Sequence, residues 1–344
     1  MKQFTIRRPS ASFVLHSLAG AIVLALASQA MAADQAPPEK SVNEQIVDKM
    51  NALAKGPYVG YRSNHAKGIV VTGTFTPSAV APTLSKAPHF QTAVPVIVRF
   101  SDPTGVPTLP DASPNASPHG IAIRFQLPDG GITDIVSISF NGFPVANPED
   151  FLGLLTAVSN TKPDSPKPTP IEQFLATHPA AKTFVTAPKP PPVSFGTLSF
   201  FGVNAFQFTN AKGESRYARY RIEPLAGNQS LTDDQIAKAS PNYLMDEMPT
   251  RLEKGPVKFR ISAQLAAPGD VINDGTVVWP NDRPQIELGI LSLTTMAPDS
   301  AAIEKTLAFN PLILVDGIAP SADPILLARP IAYSFSVGRR FSGK

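Results

Sequence analysis

Phe206-Gln207-Phe208-Thr209-Asn210-Ala211-Lys212-Gly213-Glu214-Ser215-Arg216-Tyr217-Ala218-Arg219-Tyr220-Arg221-Ile222 is the stretch on which the reading of the fold turns. Two short runs rich in aromatic and β-branched residues, Phe206 to Thr209 and Tyr217 to Ile222, flank Asn210-Ala211-Lys212-Gly213, which has the composition of a hairpin loop. An antiparallel pair is expected there. Five more runs of the same kind, Ile69 to Phe75, Val94 to Phe100, Ile121 to Leu127, Val257 to Leu265 and Ile286 to Leu293, are bounded by Gly, Pro, Asn or Asp. Seven such strands, interrupted by helices and not alternating with them, favour an antiparallel sheet closed into a barrel.

The helices read from capping and periodicity. Ser41-Val42-Asn43-Glu44 has the capping-box form, and Ile46, Val47, Met50 and Leu53 then share one helical face. Glu149 to Val158 carries Phe151, Leu152, Leu154 and Leu155. Ser240-Pro241 reads as a cap and first-turn proline for a helix on which Leu244, Met248 and Leu252 align. The class is α+β. The 37 prolines gather in segments such as Lys162 to Pro170 and Pro188 to Pro192, expected to be extended, solvated or wrapped over the barrel. Strand signals continue on both sides of them, so one domain is expected, without internal repeats.

Composition excludes several functions. The 30 basic and 27 acidic residues are dispersed, with no run dense enough to track a phosphate backbone, so nucleic acid is not an expected partner. The absence of cysteine removes disulfides, thiolate zinc sites, thiol peroxidase chemistry and a thiolate-ligated haem. Redox chemistry would have to belong to a bound cofactor. At the N-terminus Lys2, Arg7 and Arg8 precede an apolar stretch from Phe13 to Ala27, and Ala30-Met31-Ala32 offers small residues for cleavage. Residues 1–32 are therefore expected to be a removed export signal and residues 33–344 the mature domain, placed in the periplasm as a monomer or small homo-oligomer. The apolar stretch is short of the roughly 20 residues of a spanning helix, so no membrane attachment is expected after cleavage. Arg7-Arg8 leaves both the general and the twin-arginine export routes open.

One histidine stands in Arg62-Ser63-Asn64-His65-Ala66-Lys67-Gly68. After it, in order, come Val98-Arg99-Phe100-Ser101, Gly120-Ile121-Ala122-Ile123-Arg124-Phe125, Asp134-Ile135-Val136 and Asn147-Pro148-Glu149-Asp150-Phe151. Asn273-Asp274-Gly275-Thr276 with Val278-Trp279-Pro280, then Ile286-Glu287-Leu288-Gly289 and Leu307-Ala308-Phe309-Asn310-Pro311, continue the series to Arg329-Pro330-Ile331-Ala332-Tyr333. The first segment resembles the distal-histidine motif of haem catalases, the last their proximal Arg-x-x-x-Tyr motif, and those between resemble catalase barrel segments. The resemblance runs from about Tyr58 to Arg340. It implies an antiparallel barrel of about eight strands with helical insertions and a C-terminal helix carrying the ligand of a haem, haem b (iron protoporphyrin IX).

The resemblance assigns roles that chemistry supports. A phenolate is a hard anionic ligand suited to ferric iron, which suits Tyr333, and Arg329 lies one helical turn earlier on the same face, where its charge favours the phenolate. Peroxide cleavage needs a group that takes a proton from one oxygen and returns it to the other, which a neutral imidazole at His65 can do. Ser101 corresponds to the hydroxyl holding the other imidazole nitrogen. Arg62, Arg99 and Arg340 match residues that bind haem propionates, and Phe143 and Phe151 match the apolar wall of the distal pocket.

Two departures shape the expected activity. Catalases place an asparagine shortly after the Asp-x-Val segment to orient peroxide; aligning Asp134-Ile135-Val136-Ser137 puts Ile138 there, with Asn141 the nearest substitute. The chain also ends soon after the proximal motif, as in the small catalase-related peroxidases, which Phe140-Asn141-Gly142-Phe143-Pro144-Val145 resembles as well. The expected function is reduction of hydrogen peroxide or organic hydroperoxides with a small organic reductant, with weak catalase activity at most. The alternatives are a fatty-acid hydroperoxide isomerase or lyase on the same fold, a non-enzymatic haem carrier, and a ligand-binding barrel without haem.

Overall fold

Strand β2 (Val94–Ser101) shows how the pleat sorts side chains. Val94, Val96, Val98 and Phe100 point into one apolar core, while Ile97, Arg99 and Ser101 point to the opposite face. In the computed structural model, which describes residues 39–343, this alternation recurs around a closed ring. Its eight strands run, each antiparallel to the next, β1 (Gly68–Pro77), β2, β3 (Gly120–Gln126), β4 (Ile132–Ile138), β5 (Phe200–Phe201), β7 (Ser215–Pro224), β8 (Val257–Leu265) and β9 (Gln285–Met296), which returns to β1. β6 (Phe206–Thr209) pairs with the first half of β7, and β10 (Ile318–Pro320) pairs with β6. Residues Val42–Lys344 form one unit.

All seven expected runs are strands, and the expected hairpin is present: Thr209 faces Ser215, and Asn210 Oδ1 accepts from the N–H groups of Lys212 and Glu214, both at 3.0 Å. β4 is not among the runs read from composition and is expected only through the resemblance of Asp134-Ile135-Val136 to a catalase barrel segment, with Asp134 near its middle. The structure supplies the partner: Asp134 faces Arg124 across β3, which donates to it from Nε (2.9 Å) and Nη2 (2.8 Å). Inside the ring, Phe75, Phe100, Phe125, Phe195, Phe200 and Phe259 are fully buried, each contributing roughly 1.5–3 kcal/mol. The closure between β1 and β9 requires Gly73, where a Cβ would stand 2.0 Å from the Ser292 carbonyl oxygen.

The helices, in chain order, are α1 (Val42–Ala54), α2 (Ala81–Leu84), α3 (Pro148–Asn160), α4 (Pro170–Thr177), α5 (Pro179–Thr186), α6 (Asp233–Lys238), α7 (Tyr243–Lys254), α8 (Ser300–Thr306) and α9 (Pro324–Ser342). Two expectations need correction. α7 starts at Tyr243 and not at Ser240-Pro241, since its first turn is satisfied from a distance: Asp111 Oδ2 accepts from Leu244 N at 2.8 Å. Leu244 and Met248 are buried as expected. The proline-rich segment after α3 is only partly extended, because Pro170 and Pro179 occupy the first turns of α4 and α5, and Thr169 with Glu172 closes a capping box. The expected export signal lies outside the described residues. Among those described, no helix is long and apolar enough to cross a membrane.

Candidate active site

The site lies on the outer face of the barrel. Outward residues of β2, β3 and β4 form two cross-strand rows, Arg99-Ala122-Val136 and Ser101-Gly120-Ile138, set by the register. Over these rows α1, α3 and α9 close a largely apolar cavity of about 260 Å³. Its lining includes every residue singled out from the sequence: His65, Ser101, Arg62, Arg99, Phe143, Phe151, Arg329, Arg340 and Tyr333. Ile138 also lines it, whereas Asn141 does not, so the register leaves an alkyl group beside Ser101 and Gly120.

His65 precedes β1 in the left-handed backbone region (φ +55°), a conformation that costs energy outside glycine and marks a constrained position. Arg99 Nη2 donates to its carbonyl at 2.8 Å, and its Nδ1 lies 3.0 Å from Ser101 Oγ. With Nδ1 engaged by Ser101, Nε2 is the nitrogen available to the cavity. Burial, followed by the charges of Arg99, His119, Arg62 and Arg329, pushes the imidazole down to about 3, so it is a neutral base at ordinary pH. Gly120 forms the floor: a Cβ there would come within 2.8 Å of Ser101 Oγ and 3.0 Å of His65 Nδ1 and Cε1.

α9 supplies the opposite wall. Asp323 caps it, accepting from Ile325 N at 2.9 Å and Leu326 N at 3.3 Å. The four-residue spacing brings Arg329 Nε to 3.0 Å from Tyr333 Oη, to which it donates. Asn204, next to β5, ties these together: its Nδ2 donates to Asp323 Oδ2 (2.7 Å) and its Oδ1 accepts from Arg329 Nη1 (2.9 Å). The guanidinium is thereby held in position against the phenol.

Three further guanidiniums gather at the cavity. Arg99 Nε donates to Glu304 Oε1 at 2.5 Å, Arg62 Nη1 lies 3.7 Å from the same oxygen, and Arg340 Nη1 donates to the Leu307 carbonyl at 3.1 Å. Burial, then repulsion from Arg99 and Arg340, pulls Arg62 down to about 8. Three cations against one carboxylate leave an excess of two positive charges, and Nε and Nη2 of Arg340 are buried without partners. Such a cradle fits a dianionic edge. A flat apolar group with two carboxylates, held from one side by a phenol oxygen, matches the donors present.

Sequence reasoning missed Gly120, Asn204, Asp323 and Glu304. No local signal marks Asn204, and Glu304 on α8 reads as an ordinary surface charge; only the fold brings them to the cavity.

A family model described as catalase matches residues 24–344. The chain is 34% identical over 295 residues to a catalase-related peroxidase of Synechococcus elongatus, covering 84% of this chain and 86% of that one. It is 33% identical over 301 residues to a catalase-related peroxidase of Mycolicibacterium paratuberculosis, covering 86% and 94%. Among solved structures, a bacterial catalase superposes with a TM-score of 0.72 at 24% identity, over 90% of this chain and 63% of that one. A fungal catalase gives 0.71 at 20% identity, over 99% and 67%. At such identities these two show the shared fold. The match spans nearly the whole chain, and the donor set suits the haem that this membership implies: the protein belongs to the catalase family.

Proposed function

We propose that this protein is a haem peroxidase, reducing hydrogen peroxide or organic hydroperoxides at the expense of a small organic donor, with weak catalase activity at most. The observation that carries this reading is that one cavity is faced by a paired imidazole, His65 with Ser101, and a paired phenol, Tyr333 with Arg329, while Ile138 stands where an orienting amide would be. Tyr333 would ligate the iron of haem b, and Arg62, Arg99 and Arg340 would hold its propionates. Haem, when bound, would supply the redox chemistry of O–O cleavage.

The chain's own residues handle the proton. In the tautomer whose Nδ1–H donates to Ser101 Oγ, 3.0 Å away, the Nε2 lone pair is left to take the proton from one peroxide oxygen and return it to the departing one. The overall balance is hydroperoxide plus two electrons and two protons, giving an alcohol and water; the donor loses the same two electrons and two protons. Evolving oxygen instead would require a second hydrogen peroxide to be held in place as reductant, and Ile138 offers it no hydrogen bond. The alkyl and phenyl wall of Ile138, Phe143 and Phe151 suits apolar hydroperoxides, and it also favours the second reading, rearrangement of a fatty-acid hydroperoxide. A haem carrier would have no use for a strained, paired His65. The reading further takes the mature chain to act in the periplasm.

The test is the absorption spectrum of haem-loaded protein, followed by product analysis with a lipid hydroperoxide. A high-spin ferric phenolate spectrum and a hydroxy product formed only with consumption of donor are the expected results. Epoxide or aldehyde formed without donor would establish rearrangement, and dominant oxygen release from hydrogen peroxide would remove the peroxidase reading. Gly120→Ala should lower kcat/KM for peroxide about 10- to 100-fold, because the new Cβ would push the Ser101 hydroxyl and the imidazole off their places, with haem content retained. Equal rates in this variant and the parent would show that the imidazole does not rest on Gly120.

A further inference from the structure

Behind the two contacts of His65 lies a second buried group of ionisable side chains that the function above does not use. Ser101 and Gly120 are register partners where β2 ends and β3 begins. The next residues outward are Asp102 and His119, whose Oδ1 and Nδ1 are 2.8 Å apart, with 0% and 2% of the two residues exposed. Asp102 N donates to the Lys67 carbonyl at 3.0 Å, two residues beyond His65. Lys67 Nζ forms an ion pair with Asp111 and donates to the carbonyls of Leu109 (2.8 Å) and Pro241 (2.7 Å), and Asp111 in turn caps α7.

Buried charges persist only when paired. Lys67 pairs with Asp111 and, together with Arg99, also favours the charged form of Asp102, while His119 Nδ1 stands within hydrogen-bond distance of Asp102 Oδ1. Burial pushes Asp102 up to about 6 and Asp111 up to about 7, and pushes His119 down to about 4. The groups facing this cluster are Lys67, Arg99 of β2 and the Tyr243 phenol of α7, itself pushed up by burial and by both carboxylates. Asp102 thus faces the Asp111 carboxyl on one side and His119 on the other, where its Oδ1 lies 2.8 Å from Nδ1.

We propose that Asp102 and His119 are a positioning pair for His65: their bond locks the ends of β2 and β3 and so holds Ser101 Oγ and the Gly120 floor against the imidazole. The pair sets the Nδ1 hydrogen bond and hence the tautomer and depth of the base, while Lys67 and Asp111 anchor the segment that carries His65 to α7. This inference rests on the proposed role of His65 as base.

The test uses the haem-loaded enzyme. His119→Phe keeps a ring against Phe195 but removes the Nδ1 bond, and His119→Asn restores a donor at the Nδ1 place. His119→Phe should lower kcat/KM for hydrogen peroxide about 10- to 100-fold and weaken cyanide binding, which hands a proton to the same base, with haem content unchanged. His119→Asn should recover most of both. Should His119→Phe fail to fold, His119→Ala with added imidazole replaces it, recovery being the expected result and none the overturning one. His65→Ala, run alongside, separates the failures. A large loss there with none in His119→Phe overturns the positioning pair alone; no loss in His65→Ala overturns the base assignment itself. A loss in His119→Phe that His119→Asn does not reverse also overturns the pair.

Discussion

Tyr333→Phe is expected to give folded protein that no longer retains haem in stoichiometric amount, or retains it with an altered visible spectrum. The fold should survive because the Tyr333 side chain faces the cavity and its hydroxyl is bonded to Arg329, while the barrel core is made elsewhere by the phenylalanines and valines inside the ring. Haem should not survive as such, since the chain has no cysteine, and the one histidine lining the cavity among the described residues, His65, is already paired with Ser101 and held on the barrel face. An axial phenolate sets both affinity and spectrum. The measurement is haem-to-protein ratio after gel filtration, with the visible spectrum and circular dichroism beside it. An unchanged ratio and spectrum would sink the ligand assignment. Arg329→Ala should be milder, because the phenol oxygen remains in place and only its guanidinium donor, braced by Asn204, is lost.

How much of this was legible beforehand depends on the range of each interaction. β2 could be read because its alternation is local: Val94, Val96, Val98 and Phe100 declare one face, and Arg99 and Ser101 must then share the other. The Arg329 and Tyr333 spacing declares itself in the same way, as one helical turn. β4 could not be read from propensity, since its Asp134 makes sense only opposite Arg124. The start of α7 was misplaced for a related reason: its cap, Asp111, is 133 residues away. Glu304, Asn204, Asp102 and His119 carry no signal in their own neighbourhoods. They reach the site through strand register and through the packing of α8 and α9, which a one-dimensional pattern does not encode.

The second large effect concerns His65. If its Nε2 moves the peroxide proton, His65→Ala should slow the first reaction with peroxide by about 100- to 10,000-fold while haem binding stays near normal. The backbone needs a control, because φ of +55° is costly for alanine. His65→Asn supplies it: asparagine tolerates the left-handed region and cannot shuttle the proton, so it should be as slow as His65→Ala. Stopped-flow absorbance after mixing with peroxide measures the step, and a variant as fast as the parent would remove His65 from the chemistry. Ile138→Asn tests the partition independently. Ile138 is the register partner of Gly120, so an amide there would stand beside the imidazole and hold a second hydrogen peroxide. Oxygen release should rise relative to dye oxidation, read on an oxygen electrode beside the dye assay. A parent enzyme whose dominant reaction is already oxygen release would show that the missing amide does not decide between the two activities.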